Sequence, residues 1–246
     1  MAKQRVIAPV ADLFDQPNGK RARQLLFGEA FDVAHIQEGY AIGKRTSDGY
    51  VGAIAQSDLG NWAAPSHRIR DLGAQVYSGL DIKGAVITHL PFQAEITVID
   101  EIGDFVEIAG GGFVHQMQIE SVAVLEADFT RTAERYLGVP YLWGGNSQYG
   151  LDCSGLVSAA LRSAGIAHPA DSGDQENALG VALDDDTQLH RGDLIFWTGH
   201  VGIMFNETLL LHANGYHMKC VFEPLSEAAD RIAAQGGGAV TSRRRV

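Results

Sequence analysis

Cysteine is nearly absent: among 246 residues only Cys153 and Cys220 are present, which leaves no disulfide framework and fits a reducing compartment. Long apolar runs are missing too. The segment from Met1 to Pro9 lacks the continuous apolar core of a secretory signal, and no later stretch is long enough to span a bilayer. A cytoplasmic protein without membrane insertion is expected. Positive charge is scarce, with 19 Lys and Arg against 30 Asp and Glu and a formal net charge of -11. Such a surface repels phosphate backbones and anionic lipid, so no nucleic-acid partner is expected. It favours a cationic or zwitterionic ligand end. The terminal Arg243-Arg244-Arg245 run reads as the solvated end of the last strand.

What remains is an ordinary globular composition, 46% hydrophobic and 20% charged, in a chain long enough for two or three modules. The first half repeats itself loosely. Leu26 to Val33 parallels Leu90 to Val98, Gly39-Tyr40-Ala41-Ile42 parallels Asp104 to Ile108, and Gly49-Tyr50-Val51-Gly52 parallels Gly112-Phe113-Val114-His115. Short alternating strands with Gly and Asp turns at this spacing predict two small all-β barrels, at residues 1–64 and 65–125, with one larger β domain as the alternative. Gly110-Gly111-Gly112 is a turn rather than a phosphate cradle, because no strand-to-helix junction surrounds it.

From Asp128 the texture changes, and 126–246 is expected to form an α+β domain. Asp128 to Leu137 predicts a helix stopped by Gly138 and Pro140. A second helix runs from about Asp152 to Ala164, with Leu156, Val157, Ala160, Leu161 and Ala164 on one face and Gly165 as its stop. Strands are expected over 191–197, 200–205 and 209–213.

A cysteine inside a helix is ordinarily a small buried residue. Cys153 instead occupies a first turn, where unpaired backbone N–H groups and the helix dipole favour a thiolate and can hold an oxyanion. If Asn206-Glu207-Thr208 is the turn, Phe205 faces Leu209, and the ladder brings His200 and His212 diagonally onto one face. Diagonal neighbours stand roughly 7–8 Å apart at their α-carbons, within reach of two rings. His200 then serves as the base, and His212 accepts from its other ring nitrogen and sets the tautomer. His212, His217 and Cys220 match no zinc spacing, and a continued strand would put His212 and His217 on opposite faces. No metal or cofactor is expected.

Tyr141-Leu142-Trp143-Gly144-Gly145, Leu151-Asp152-Cys153-Ser154-Gly155-Leu156-Val157, Arg191-Gly192-Asp193-Leu194-Ile195-Phe196, Gly199-His200-Val201-Gly202-Ile203 and Leu211-His212-Ala213 resemble, in order, the signature segments of the NlpC/P60 cysteine peptidases. The resemblance implies a papain-like catalytic domain behind two SH3-like barrels, with Cys153, His200 and His212 as nucleophile, base and orienting residue. Tandem SH3-like domains in front of such a core are similar to the γ-D-glutamyl-L-diamino acid endopeptidases of murein recycling, which act on peptides with a free N-terminal L-Ala. In that subgroup Tyr141, Asp152 and a serine matching Ser172 would line the pocket for L-Ala-γ-D-Glu, and an acidic residue and a tyrosine of the first barrel, for which Asp15 and Tyr50 are the candidates, would close it around the amine. Beside the nucleophile Asp152 is also a ready anion for an ammonium, and Ser154 offers a hydroxyl and an amide. The implied partner is a murein-derived peptide. The competing expectations are a secreted hydrolase or amidase acting on intact wall, and an inactive wall-binding module.

Overall fold

The structure, a computed structural model, describes residues 2–246, and the chain divides into two units at the Val124/Leu125 boundary. In the first unit, β1 (Ala2–Val6), β2 (Val10–Phe14), β3 (Arg21–Leu26), β4 (Ala30–Gln37), β5 (Tyr40–Arg45), β6 (Val51–Ala55) and β7 (Leu59–Asn61) form one sheet, ordered β3-β2-β6-β5-β4-β1-β7. Burial alternates along β2, with Ala11 and Leu13 inward, as a half-buried strand requires. Val6, Leu13, Leu25, Phe31 and Ile54 meet in one core.

The rest of this unit comprises β8 (His67–Ile69), β9 (Gly73–Tyr77), β10 (Val86–Pro91), β11 (Glu95–Ile96), β12 (Val98–Ile102), β13 (Phe105–Ile108), β14 (Phe113–His115) and β15 (Ile119–Ser121). They make sheets ordered β10-β9-β14-β13-β12 and β11-β8-β15 around a second core with Ile69, Leu90, Ile96, Val106 and Val114. The repeat in the sequence has a structural counterpart: β5 and β13 both start at the expected aromatic residue. Likewise β6 and β14 each lead through a single 3-10 turn into a three-residue strand.

The second unit comprises α1 (Phe129–Glu134), β16 (Asn146–Ser147), β17 (Gly150–Leu151), α2 (Cys153–Ser163), α3 (Ser172–Ala178), β18 (Val181–Ala182), β19 (Leu194–Trp197), β20 (His200–Met204), β21 (Leu209–Asn214), β22 (Lys219–Pro224), α4 (Leu225–Ala234) and β23 (Ser242–Arg245). Its main sheet runs β18-β23-β19-β20-β21-β22. The first helix is shorter than expected because Arg135, Tyr136 and Leu137 bond three residues back instead of four, the tightening common at helix ends. In α2, Leu156, Val157, Ala160 and Leu161 are fully buried, each Leu and Val contributing roughly 1.5–3 kcal/mol. That face lies against β20 and β21, so the helix start is presented to the same two strands that carry the histidines.

The arginine run is not a solvated end. Strand β23 lies between β18 and β19, and Arg245 donates from Nε and Nη2 to both oxygens of buried Asp193 at 2.8 and 2.7 Å. An unpaired Asp193 would be costly in that interior, and the guanidinium fork satisfies it.

Candidate active site

Cys153 opens α2, and Asp152 caps the helix: its Oδ1 accepts from Gly155 N at 2.8 Å and from Ser154 Oγ at 3.1 Å. Its Oδ2 accepts from Gly144 N at 2.8 Å. This explains the aromatic-glycine segment, since the Gly144 loop is strapped to the residue before the cysteine. A Cβ on Gly155 would stand 2.4 Å from the Gly145 carbonyl oxygen, so the first turn and the loop approach as only glycine permits.

The thiol is 7% exposed and receives the backbone N–H groups of Val201, Ser154 and Cys153 itself. Val201 follows His200, so the beginning of β20 stands beside the sulfur. A two-residue turn with Gly199 at φ +73° pairs Trp197 with His200, and the Trp197 and His200 rings lie 5.6 Å apart.

The hairpin register agrees with the three-residue turn. Ile203 pairs with Leu211 and Met204 with Leu210, while Asn206 Oδ1 accepts from Thr208 N and Leu209 N. His200 Nε2 lies 3.0 Å from His212 Nδ1. Behind it, His212 Nε2 lies 2.9 Å from Glu223 Oε2, and Arg231 donates to both Glu223 oxygens at 2.9 and 2.7 Å. Arg231 and buried contact with His212 hold Glu223 below the usual carboxylate range despite desolvation. Asn214 Nδ2 also lies 2.9 Å from His212 Nε2, but an ionised Glu223 can only accept and favours the proton on Nε2, which leaves Nδ1 to accept from His200 Nε2–H.

Glu223 and Arg231 were not visible in the sequence. His212 pairs with Val221, so Glu223 sits diagonally two residues on, on the same face. The available signal was a carboxylate two positions from the cross-strand partner, but reading it needs the length of the β21–β22 turn. The strand ends at Asn214, so His217 is a turn residue, and the chain folds it back beside His212 and Glu223, the three groups lying within 4.8 Å of one another. Arg231 already engages both Glu223 oxygens, so the arrangement is a hydrogen-bond relay rather than a metal cage.

The electrostatics reverse the expected thiolate. Burial, aided by the Asp152 charge, pushes Cys153 up to about 12 against the helix N–H groups. Burial, aided by His212 and Arg231, holds His200 down to about 3. Burial thus disfavours both the thiolate of Cys153 and the imidazolium of His200. Three N–H groups do not offset the loss of water around a closed thiol.

Burial likewise holds His212 at about 4, against the opposing pull of Glu223. Below its ordinary value of 6.5 the unfolded chain takes a proton that the folded chain refuses, so stability falls as pH drops from 6.5 towards 4. Between pH 7 and 5 this one histidine is expected to remove about 2 kcal/mol. Urea unfolding of wild type and His212→Asn at both pH values measures it; equal pH sensitivity in the two proteins would refute a neutral buried His212.

Other expected residues fall as follows. Tyr141 donates its backbone N–H to Met218 O, and burial, Cys153 and Asp152 push its phenol up to about 12, which places the ring in the field of the thiol. Ser154 is buried. Ser172 opens α3, and Gln175 one turn later donates to Ser154 O at 3.2 Å and Ser158 Oγ at 3.1 Å, tying α3 to the first turns of α2. Asp15 and Tyr50 belong to the other unit. There Asp15 is an exposed turn residue accepting from Lys20 N, and Tyr50 packs on the first core. Cys220 is buried and free.

Residues 138–229 match the NlpC/P60 family, and residues 13–59 match the bacterial dipeptidyl-peptidase Sh3 domain. The chain is 36% identical over 118 residues to the γ-D-glutamyl-L-lysine dipeptidyl-peptidase of Bacillus subtilis (strain 168), covering 43% of this chain and 39% of that protein. It is also 36% identical over 115 residues to peptidoglycan endopeptidase RipB of Mycobacterium tuberculosis (strain CDC 1551 / Oshkosh), covering 40% and 47%. The matched parts span less than half of either relative. A crystal structure of an NlpC/P60 family protein from Bacillus cereus ATCC 10987 superposes with a TM-score of 0.82 at 19% identity over 99% of both chains, a likeness of fold alone. Among the described residues no helix is long and apolar enough to cross a membrane. The C-terminal unit thus carries a match to the NlpC/P60 family over residues 138–229, and the start of the chain a match to the bacterial dipeptidyl-peptidase Sh3 domain over residues 13–59.

Proposed function

We propose that the chain is a cysteine endopeptidase that hydrolyses the bond between γ-D-Glu and the diamino acid in murein-derived peptides bearing a free N-terminal L-Ala. The observation that carries this reading is the 3.0 Å contact of His200 Nε2 with His212 Nδ1, in a strand pair whose Val201 N–H meets the Cys153 thiol. The bond class comes from the relative named for a γ-D-glutamyl-L-lysine bond.

In the reaction, His200 takes the thiol proton as Cys153 Sγ attacks the γ-carbonyl carbon, so thiolate need not exist beforehand. N–H groups at the start of α2 stabilise the oxyanion. The C–N bond breaks, His200 returns the proton to the leaving amine, and the acyl group remains on Sγ as a thioester. Water, giving a proton to His200, then attacks the thioester; the γ-D-Glu carboxylate leaves and the thiol is restored. His212, held by Glu223, fixes the His200 tautomer through every step.

Tyr141, Asp152, Ser154 and Ser172 are assigned to the L-Ala-γ-D-Glu moiety. Three hydrogen bonds already reach Asp152 of the about four a carboxylate accepts, which leaves one for an ammonium. The first unit is read as two SH3-like barrels, and the place of action as the cytoplasm, where free-amine fragments are recycled. The similarity to RipB supports a second reading, hydrolysis of intact wall. Mass spectrometry of products from L-Ala-γ-D-Glu-meso-diaminopimelate and its N-acetylated form separates them. Cleavage of the free amine alone, releasing L-Ala-γ-D-Glu, is expected; cleavage of both favours the wall hydrolase, and cleavage of neither rejects the assignment.

A further inference from the structure

Arg5, on β1, is 6% exposed and lines a cleft of about 360 Å³ within the first unit. One of its five N–H donors reaches Ala109 O at 2.8 Å, while Nε is buried without a hydrogen-bond partner. Its guanidinium carbon stands 5.8 Å from the Phe27 ring centroid, and no carboxylate forms an ion pair with it among the described residues. Burial alone lowers its pKa. Arg45, buried in the same unit, is instead held by Glu29 at 2.9 Å and Asp48 at 3.0 Å. A buried cation is costly unless an anion accompanies it, and this protein has carboxylates in excess yet places none beside Arg5.

The walls are apolar: Phe27, Val76, Leu90 and Ile108 inside, with Ile7 and Ile87 at the mouth, 43% and 58% exposed. Gly110 and Gly111 form one rim, and a Cβ on Gly110 would approach Arg5 Nη2 to 3.1 Å, so the absent side chain leaves the guanidinium reachable. The volume falls within the roughly 300–1,000 Å³ of small-molecule sites, and apolar walls with one directing polar group are their usual chemistry.

We infer that this cleft is a binding site for a small carboxylate with a compact apolar body, its carboxylate paired to Arg5. Two sources share that chemistry, a branched aliphatic acid and the C-terminal end of a short peptide. The site is separate from the peptidase reading and does not depend on it.

The full chain would be titrated by isothermal calorimetry with 4-methylpentanoate and with N-acetyl-alanyl-alanine, each beside its carboxamide. Binding of an acid roughly tenfold or more tighter than its amide is expected, and the acid that binds better identifies the source. Arg5→Met should abolish this preference while leaving the melting temperature unchanged or raised, because it removes an unpaired buried charge. Ile87→Glu, at the exposed lip, should weaken the acid as well by offering Arg5 a competing carboxylate. Equal affinity of acid and amide, no binding of either, or unchanged acid binding in both folded variants would overturn the site.

Discussion

Cys153→Ala is expected to lower turnover of L-Ala-γ-D-Glu-meso-diaminopimelate by roughly four orders of magnitude or more, the scale seen when a covalent nucleophile is removed. Nothing else in the site can take its place. Ser154 is buried and already donates its hydroxyl to Asp152, and Cys220 is fully buried with burial pushing its thiol up to about 12. The fold should tolerate the change, because alanine keeps the Asp152 cap and loses one sulfur from a site where a charge is unfavourable. Product release by mass spectrometry, with the peptide's dissociation constant from calorimetry, separates the roles: turnover should vanish while binding persists. Retained turnover would remove Cys153 from the mechanism.

Glu223 carries the second large effect. Glu223→Ala leaves His212 Nε2–H and the Arg231 guanidinium without the carboxylate that both contact at 2.9 Å or less, and breaking such a pair costs about 3 kcal/mol. Glu223→Gln keeps the shape but turns an amide N–H₂ group towards Arg231 or His212. It should lower kcat by roughly tenfold to a hundredfold with KM little changed, since tautomer and ring orientation act on proton transfer rather than on peptide binding. The pH profile discriminates further: the Glu223 charge raises His200, so its removal should shift the acid limb of kcat/KM to lower pH. A loss of stability with unchanged kcat and an unmoved acid limb would make Glu223 purely structural.

Much of this site is local, and local features were readable. The cysteine in the first turn and the buried face of α2 follow from helical periodicity over a dozen residues. The pairing of His200 with His212 followed from one turn of three residues, Asn206 to Thr208, whose asparagine holds the turn through its own side chain. The ionisation state was not readable in the same way. A helix N-terminus predicts a depressed thiol pKa, and the reversal comes from strands β20 and β21 closing over it, a cost that no local spacing reveals.

The sequence by itself determined the turn from Asn206 to Thr208 and the apolar face of α2, because each depends on neighbours within about two turns or one hairpin. Tertiary structure alone decided that Glu223 and Arg231 stand behind His212, that β23 inserts between β18 and β19 so that Arg245 meets Asp193, and that Arg5 is buried without an anion. Those three facts depend on groups far apart in the chain. Their energies come from desolvation and charge pairing, which exist only once distant segments have excluded water from one another.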